Sequence, residues 1–217
     1  MKKVLSVVAI GVENNYKVSF LGTGFFISNT KLVTASHVIR GVKHRLVISP
    51  KVEIKQFSDY QDEEQEEFLL YPARVIEDDP IKDICVLEAE TADCDFSYPV
   101  ISGLDGINVG DVLSIYGFPH CNVECRKVLT YQSAVVGAKV LLSCAGIKSK
   151  HAILNNQSRP GQSGSPVLNL ADSSVVGILV GGYMREGSEG ILIGDMIPGD
   201  FNQTTYCVSA EYIKEML

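Results

Sequence analysis

Short β-type runs separated by turn residues are the feature of this sequence that most restricts its fold. Residues 4–10 are apolar and β-prone, Glu13, Asn14 and Asn15 follow as a turn, and residues 17–28 form a second run. Together these segments are typical of a β-hairpin. Further runs recur about every ten residues, which is the spacing of an all-β barrel or sandwich. They cover residues 31–34, 45–49, 51–54, 74–77, 84–88, 112–116, 135–142, 151–154, 166–168, 175–180 and 190–193.

Helix signals are few, and the clearest lies at the end of the chain. Residues 209–217 begin with Ser209, a residue type that caps helix N-termini, and an apolar face follows at Tyr212, Ile213, Met216 and Leu217. The pattern predicts a short terminal helix packed against the β-structure.

Charge and hydropathy restrict the partners of the chain. The formal net charge is −7 and the basic residues are scattered, whereas nucleic-acid binding needs clustered Lys and Arg, so no nucleic-acid partner is expected. No stretch approaches the roughly 20 apolar residues of a membrane span, so no membrane partner is expected. The acidic stretch at residues 60–67 is interpreted as a solvated loop, with a dock for basic peptides as the alternative.

The N-terminus and the cysteines bear on the compartment. Met1, Lys2 and Lys3 precede a short apolar run, but no small-residue cleavage site follows it, which favours a strand over a signal peptide. We therefore expect a cytoplasmic protein with reduced thiols, secretion being the alternative. His120, Cys121 and Cys125 supply only three metal ligands locally, and Cys144 or His151 would have to complete a site. The prediction is a loop with unpaired thiols, with no metal and no cofactor.

Three widely spaced segments carry residues suited to nucleophilic catalysis. His37 ends a strand-and-turn segment, Asp83 begins an apolar run, and Ser163 lies in Gly-Gln-Ser-Gly-Ser-Pro at residues 161–166. A serine hydroxyl needs a neighbouring base to accept its proton, and a histidine base needs a carboxylate that fixes its tautomer. The three residues are therefore candidates for nucleophile (Ser163), general base (His37) and orienting acid (Asp83).

The glycines around Ser163 suggest a second role for the same loop. Attack on a carbonyl places negative charge on its oxygen, and backbone N–H groups can stabilise that charge if the loop turns sharply. The N–H groups of Gly161 and Ser163 are the candidate donors of this oxyanion hole.

These motifs together resemble those of the chymotrypsin-fold serine peptidases. The segments at residues 22–27, 34–37, 83–87 and 161–166 occur in the order His, Asp, Ser, and they are most similar to the bacterial HtrA-like and glutamyl-endopeptidase-like members. The resemblance implies an all-β, double six-stranded antiparallel β-barrel with a short C-terminal helix and the site between the barrels. Residues 1–100 would form the first barrel, with His37 and Asp83, and residues 101–217 the second, with Ser163 and the helix.

The resemblance also implies where substrate binds. The strand at residues 178–182 would pair with the peptide backbone, and the side-chain pocket would be walled by that strand, residues 156–158 and residues 190–194. The implied substrate-binding residues are Gln157, Ser158, Leu179, Val180, Gly181 and Gly182. Leu179 stands where glutamyl-specific members carry a histidine, and Gln157 stands nearest the acid of a trypsin-type pocket. These departures predict a pocket for a small, apolar or uncharged side chain.

The functional prediction is a serine endopeptidase that hydrolyses protein or peptide substrates through an acyl-enzyme. The alternative is a partner-gated or catalytically silent module of the same fold that acts as a binding or regulatory protein and engages a regulatory protein partner.

Overall fold

The computed structural model describes residues 6–15, 17–50, 58–64, 68–91, 97–123, 126–182 and 205–217. The predicted strands at residues 51–54 and 190–193 lie outside this part of the chain, as do the pocket wall predicted at residues 190–194 and Cys125. Residues 4–5 of the first predicted run and residues 65–67 of the acidic stretch also lie outside it.

The first barrel is built from the N-terminal half of the described chain. Its strands close in the order β1-β2-β3-β6-β5-β4, and every neighbouring pair is antiparallel. The one-turn helix α1, Ser36–Ile39, follows β3. The strands are β1 Val7–Asn14, β2 Lys17–Phe26, β3 Lys31–Thr34, β4 Arg45–Pro50, β5 Tyr71–Asp79 and β6 Ile84–Ala89.

The second barrel repeats this plan in the C-terminal half. Its strands close in the order β10-β11-β12-β9-β8-β7, again antiparallel throughout. They are β7 Val112–Gly117, β8 Thr130–Cys144, β9 Ile147–Leu154, β10 Pro166–Asn169, β11 Val175–Gly182 and β12 Thr205–Ser209. The predicted pair of six-stranded antiparallel barrels is confirmed, although the sequence pattern missed β12.

The end of the chain differs in detail from its prediction. Ala210–Met216 is a 3₁₀ helix. Ser209 makes no side-chain cap, because its hydroxyl accepts the N–H of Leu104 at 3.1 Å instead. Ile213 is buried as predicted, whereas Leu217 is exposed, so the apolar face is shorter than the sequence pattern indicates.

The apolar core explains why several strands are hydrophobic on both faces. Successive strand residues point to opposite sides: Phe26 faces the interior of the first barrel, and Phe25 belongs to a cluster that draws residues from both barrels. In that shared cluster Val33 and Ile84 of the first barrel are joined by Phe118 and Ile178 of the second. One face of each such strand packs inside its own barrel. The other face packs in the shared cluster between the barrels, which fixes the barrels against each other.

Replacement of Phe25 tests the junction. Phe25 is 1% exposed, so Phe25→Ala leaves a cavity and should lower the free energy of unfolding by about 3–5 kcal/mol, measured by urea denaturation. Val100→Ala is the control, because Val100 is 73% exposed and its loss should cost less than about 0.5 kcal/mol. A loss below about 1 kcal/mol for Phe25→Ala would contradict the shared core.

Candidate active site

His37 and Asp83 meet at the ends of two paired strands. β3 pairs with β6, with Thr34 opposite Cys85, so the residues just beyond these partners are neighbours. Helix α1 starts immediately after β3 and turns His37 toward Asp83. The His37 N–H donates to Asp83 Oδ1 at 2.8 Å, and the Ser36 N–H donates to the Asp83 carbonyl at 3.2 Å. Asp83 adopts φ +59°, a left-handed conformation that Asp tolerates better than most residues.

The side chains of this pair are joined as well. His37 Nδ1 lies 2.6 Å from Asp83 Oδ2, and the His37 side chain is 38% exposed against 18% for Asp83. An ionised carboxylate only accepts hydrogen bonds, so the proton of the neutral imidazole belongs on Nδ1. Nε2 then carries the free lone pair, which makes His37 a base on its exposed side.

Ser163 is held in a loop that only glycine neighbours allow. Gly161 and Gly164 have φ +91° and +86°, conformations that disfavour residues with a Cβ. A Cβ on Gly164 would overlap the Thr23 carbonyl oxygen and the Thr34 hydroxyl. The Thr23 N–H donates to the Ser163 carbonyl at 2.9 Å, and the Gly164 N–H donates to the Leu179 carbonyl at 2.7 Å. The loop is thus bonded to β2 on one side and to β11 on the other.

Gly22 brings helix α1 close to this loop. A Cβ on Gly22 would lie 2.8 Å from both γ-carbons of Val38 and 3.0 Å from the Ser163 carbonyl oxygen. Val38 follows His37 directly, so the missing side chain lets the histidine-bearing helix and the serine-bearing loop pack on the same point of β2.

The Ser163 hydroxyl itself points to β11. Its Oγ donates to the Val180 carbonyl at 3.4 Å. Across the described residues no hydrogen bond joins Ser163 to His37. The structure therefore brings His37 and Asp83 into contact, while the Ser163 hydroxyl is turned to the Val180 carbonyl.

The peptide planes around Gly161 orient the candidate donors. The Pro160 carbonyl accepts the His120 N–H at 2.6 Å. In a trans peptide the N–H points opposite to the carbonyl, so the Gly161 N–H faces away from His120. Neither the Gly161 N–H nor the Ser163 N–H donates to any other group in the described part of the chain. The described part of the chain therefore leaves both candidate donors without an acceptor, and Gly161 itself is buried.

A buried amide network underlies the same loop, and the sequence analysis did not find it. Gln162 is fully buried. Its Oε1 accepts the Arg159 N–H at 2.7 Å, and its Nε2 donates to Gln132 Oε1 at 3.0 Å. Gln132 also accepts Asn156 Nδ2 at 3.3 Å. A glutamine beside a candidate nucleophile is a visible signal, but the sequence offers none for Gln132, which lies on β8.

The predicted substrate-binding residues fall into different environments. Leu179 is fully buried in the second barrel and its backbone groups bond to the Ser163 loop, so it does not reach the exposed side of the site. A Cβ on Gly181 would lie 3.6 Å from Ser163 Oγ, which places residues 180–182 along the edge of the site. Ser158 is buried and its N–H donates to Thr205 Oγ1 at 2.9 Å, whereas Gln157 is half-buried.

Gly182 pairs with Thr205 on β12. The opposite side of β11 pairs with β10 only as far as Ile178. In the described chain, residues 180–182 therefore have no strand partner on that side.

The remaining candidate ligands and thiols are dispersed. The described chain holds no cluster of three or more His, Cys, Asp or Glu side chains suited to a metal. Cys144 is exposed in the β8–β9 hairpin, while Cys121 is buried behind Gly161. Burial raises the pKa of both Cys85 and Cys207 to about 12, so these thiols stay protonated and unreactive at neutral pH. Burial also lowers the pKa of His151.

None of the described helices has the length and apolar character needed to cross a membrane.

Comparison with solved structures shows the same architecture in bacterial proteases. The MamO protease domain from Magnetospirillum magneticum shares 14% identity, with a TM-score of 0.68 over 98% of this chain and 95% of that chain. The HtrA-type protease AlgW with tripeptide shares 17%, with a TM-score of 0.67 over 99% of this chain and 59% of that one. The Rv3671c protease from M. tuberculosis, active form, shares 20% identity, with a TM-score of 0.67 over 98% of this chain and 79% of that chain.

At these identities the structural likeness establishes the fold. No curated protein sequence matches the chain. The model of the family described as "Trypsin-like peptidase domain" matches residues 22–178, a stretch that contains His37, Asp83 and Ser163. Because this match spans most of the sequence, the chain belongs to the trypsin-like peptidase domain family, and its enzymatic class is that of a serine-type peptidase.

Proposed function

We propose that this protein is an endopeptidase in which Ser163 is the nucleophile, His37 the general base and Asp83 the residue that orients the histidine. The observation that carries the proposal is the 2.6 Å contact between His37 Nδ1 and Asp83 Oδ2, formed beside the glycine loop of Ser163. A histidine whose Nδ1 proton is committed to a carboxylate presents a basic Nε2, as nucleophilic catalysis by serine requires.

The first half of the reaction forms an acyl-enzyme. Ser163 Oγ attacks the scissile carbonyl carbon while its proton passes to His37 Nε2. The tetrahedral intermediate then collapses, the C–N bond breaks, and the imidazolium gives its proton to the leaving amine. Water, activated by the same histidine, hydrolyses the ester and restores Ser163. Asp83 stabilises the imidazolium formed in each half.

The negative charge of the tetrahedral intermediate would be held by the N–H groups of Gly161 and Ser163. Both groups are unused by the described chain, and each donor of this kind is typically worth about 3–4 kcal/mol of the barrier. The orientation of the Gly161 N–H, opposite to the carbonyl fixed by His120, supports this role.

A peptide substrate would bind in an extended conformation along residues 180–182. The free side of β11 offers backbone groups for strand addition, a common mode of peptide recognition. Gln157 and Ser158 would border the side-chain pocket, and we propose that it accepts small, apolar or uncharged side chains. Protein or peptide is therefore the substrate class.

The direction of the Ser163 hydroxyl supports a second candidate, a partner-gated form. Its bond to the Val180 carbonyl, at 3.4 Å, must be exchanged for one to His37 before attack. Catalytic hydrogen bonds often tighten only when substrate binds, and a partner protein could drive the same rotation. Sulfonyl-fluoride labelling of the isolated protein separates the two: labelling at Ser163 supports the peptidase, and silence supports gating.

Ser163→Ala should abolish peptidase activity, because the replacement removes the attacking oxygen. We expect the rate of peptide-library cleavage to fall by roughly 10⁴–10⁶-fold and sulfonyl-fluoride labelling to disappear. Ser133→Ala, at an exposed position on β8, is the matched control and should behave as wild type. Undiminished cleavage by Ser163→Ala would rule out Ser163 as nucleophile.

Asp83→Asn should lower kcat by about 10³–10⁴-fold, because an amide that donates to Nδ1 leaves the proton on Nε2. Steady-state kinetics should show kcat reduced with KM little altered. Asp78→Asn, an exposed acid on β5, controls for the loss of one negative charge. A kcat within about tenfold of wild type would contradict the orienting role of Asp83.

A further inference from the structure

We propose that Thr23 is a positioning residue of the oxyanion hole, through which the first barrel restrains the peptide plane that follows Gly161 and so the loop that carries its N–H. The inference rests on the proposed function and extends it to a residue that contacts neither substrate nor the reacting atoms. Thr23 lies on β2, in the Gly-Thr-Gly segment at residues 22–24, and is fully buried.

The direction of the Thr23 hydroxyl proton is fixed by its partners. The Phe118 N–H donates to Thr23 Oγ1 at 3.1 Å, and Thr23 Oγ1 lies 2.8 Å from the Gly161 carbonyl. A backbone N–H can only donate and a carbonyl can only accept. The hydroxyl therefore accepts from Phe118 and donates to Gly161, which joins two loops of the second barrel through one side chain of the first.

Each of the two peptide planes that flank Gly161 accepts a hydrogen bond from outside the loop, and the bond from Thr23 is the second of these. The preceding carbonyl, that of Pro160, is held by the His120 N–H at 2.6 Å. The following carbonyl, that of Gly161 itself, is held by Thr23. Glycine has little conformational preference of its own, so the orientation of its two planes depends on the groups that bond to them. Within the loop, the Gln162 N–H of the second plane also donates to the Arg159 carbonyl at 3.1 Å. The Gly161 N–H lies in the first plane, and the Thr23 bond to the second plane restrains the backbone rotation between the two.

The backbone of Thr23 is also hydrogen-bonded to the segments that carry the candidate nucleophile and base. Its N–H donates to the Ser163 carbonyl at 2.9 Å, and its own carbonyl accepts the Thr34 hydroxyl at 2.7 Å. Thr34 precedes helix α1 and therefore His37. One buried residue thus has hydrogen bonds to the nucleophile, to the donor loop and to the segment that leads to the base.

The Gln162–Gln132 bond is a separate anchor of the same loop. It restrains a side chain within the second barrel and does not contact the Gly161 carbonyl. Loss of the Thr23 hydroxyl should therefore leave the loop attached while loosening the plane that follows Gly161, which keeps the Gln162 N–H bond to the Arg159 carbonyl at 3.1 Å and the weak Cys121 Sγ contact with the Gly161 carbonyl at 4.0 Å. The expected defect concerns transition-state stabilisation more than folding.

The test compares Thr23→Val, which keeps the shape and removes the hydroxyl, with Thr23→Ser, which keeps the hydroxyl. We expect kcat of Thr23→Val to fall by about 30- to 100-fold, somewhat less than the loss of a whole oxyanion donor, with KM little altered. Sulfonyl-fluoride labelling should slow in parallel, and Thr23→Ser should stay close to wild type. Ser6→Ala is the control, since it also removes a buried hydroxyl that donates to a β2 carbonyl, that of Phe26 at 2.8 Å.

A readout independent of catalysis is the exchange rate of the Gln162 amide proton, followed by NMR, because this N–H lies in the plane that Thr23 holds and donates to the Arg159 carbonyl at 3.1 Å. We expect faster exchange in Thr23→Val and no change in Thr23→Ser or Ser6→Ala. If Thr23→Val does not fold, Thr23→Ala takes its place in the same comparison.

Three results would overturn the proposal: an unchanged kcat in Thr23→Val, equal losses in Thr23→Val and Thr23→Ser, or a loss in Ser6→Ala as large as that in Thr23→Val. A wild-type protein without turnover or labelling would instead count against the proposed function. In that case the Gln162 exchange rate decides, because a rate unchanged by Thr23→Val would overturn the positioning role.

Discussion

The close packing of the Ser163 loop on β2 is the contact on which the site depends. Gly164 lies where any Cβ would overlap the Thr23 carbonyl and the Thr34 hydroxyl, and Thr23 donates to the Ser163 carbonyl. Because the serine belongs to the second barrel and the His37–Asp83 pair to the first, this contact links the loop of the serine to the barrel that carries the pair. A side chain at Gly164 would push the Ser163 loop away from β2 without altering Ser163, His37 or Asp83.

The barrels provide the rigid support that such a contact needs. Their strands bury one face in a barrel interior and the other in the shared cluster around Phe25 and Ile178. Functional groups held at the ends of packed strands keep their geometry better than groups on unsupported loops. His37 and Asp83 follow and precede paired strands, and residues 180–182 end a strand that β12 holds on one side. The loop of Ser163 is irregular, but its hydrogen bonds attach it to β2 and β11.

Residues near one another in sequence account for most of what could be predicted. The alternation of apolar runs and turns indicated an all-β barrel or sandwich, and the motifs around His37, Asp83 and Ser163 carried the resemblance to a peptidase family that implied two barrels. Predictions were weaker where distant residues decide the outcome. Ser209 has a side chain that can cap a helix, but its hydroxyl accepts the Leu104 N–H instead. Strand β12 is short, and the sequence pattern assigned residues 205–208 to no element. Gln132 lies far from Gln162 in sequence, and only the closed barrel makes them neighbours.

The sequence by itself determined the residue types and the local backbone: glycines where φ is positive, strands with two apolar faces, and a histidine directly after a strand. Only the tertiary structure decided where the Gly161 N–H points, which acceptor the Ser163 hydroxyl bonds to, and that Leu179 faces the barrel interior. The physical reason is that local preference limits a loop to a few conformations, whereas the choice among them depends on hydrogen-bond partners. For the nucleophile loop those partners include Thr23 and His120, which come from a different barrel and a different loop.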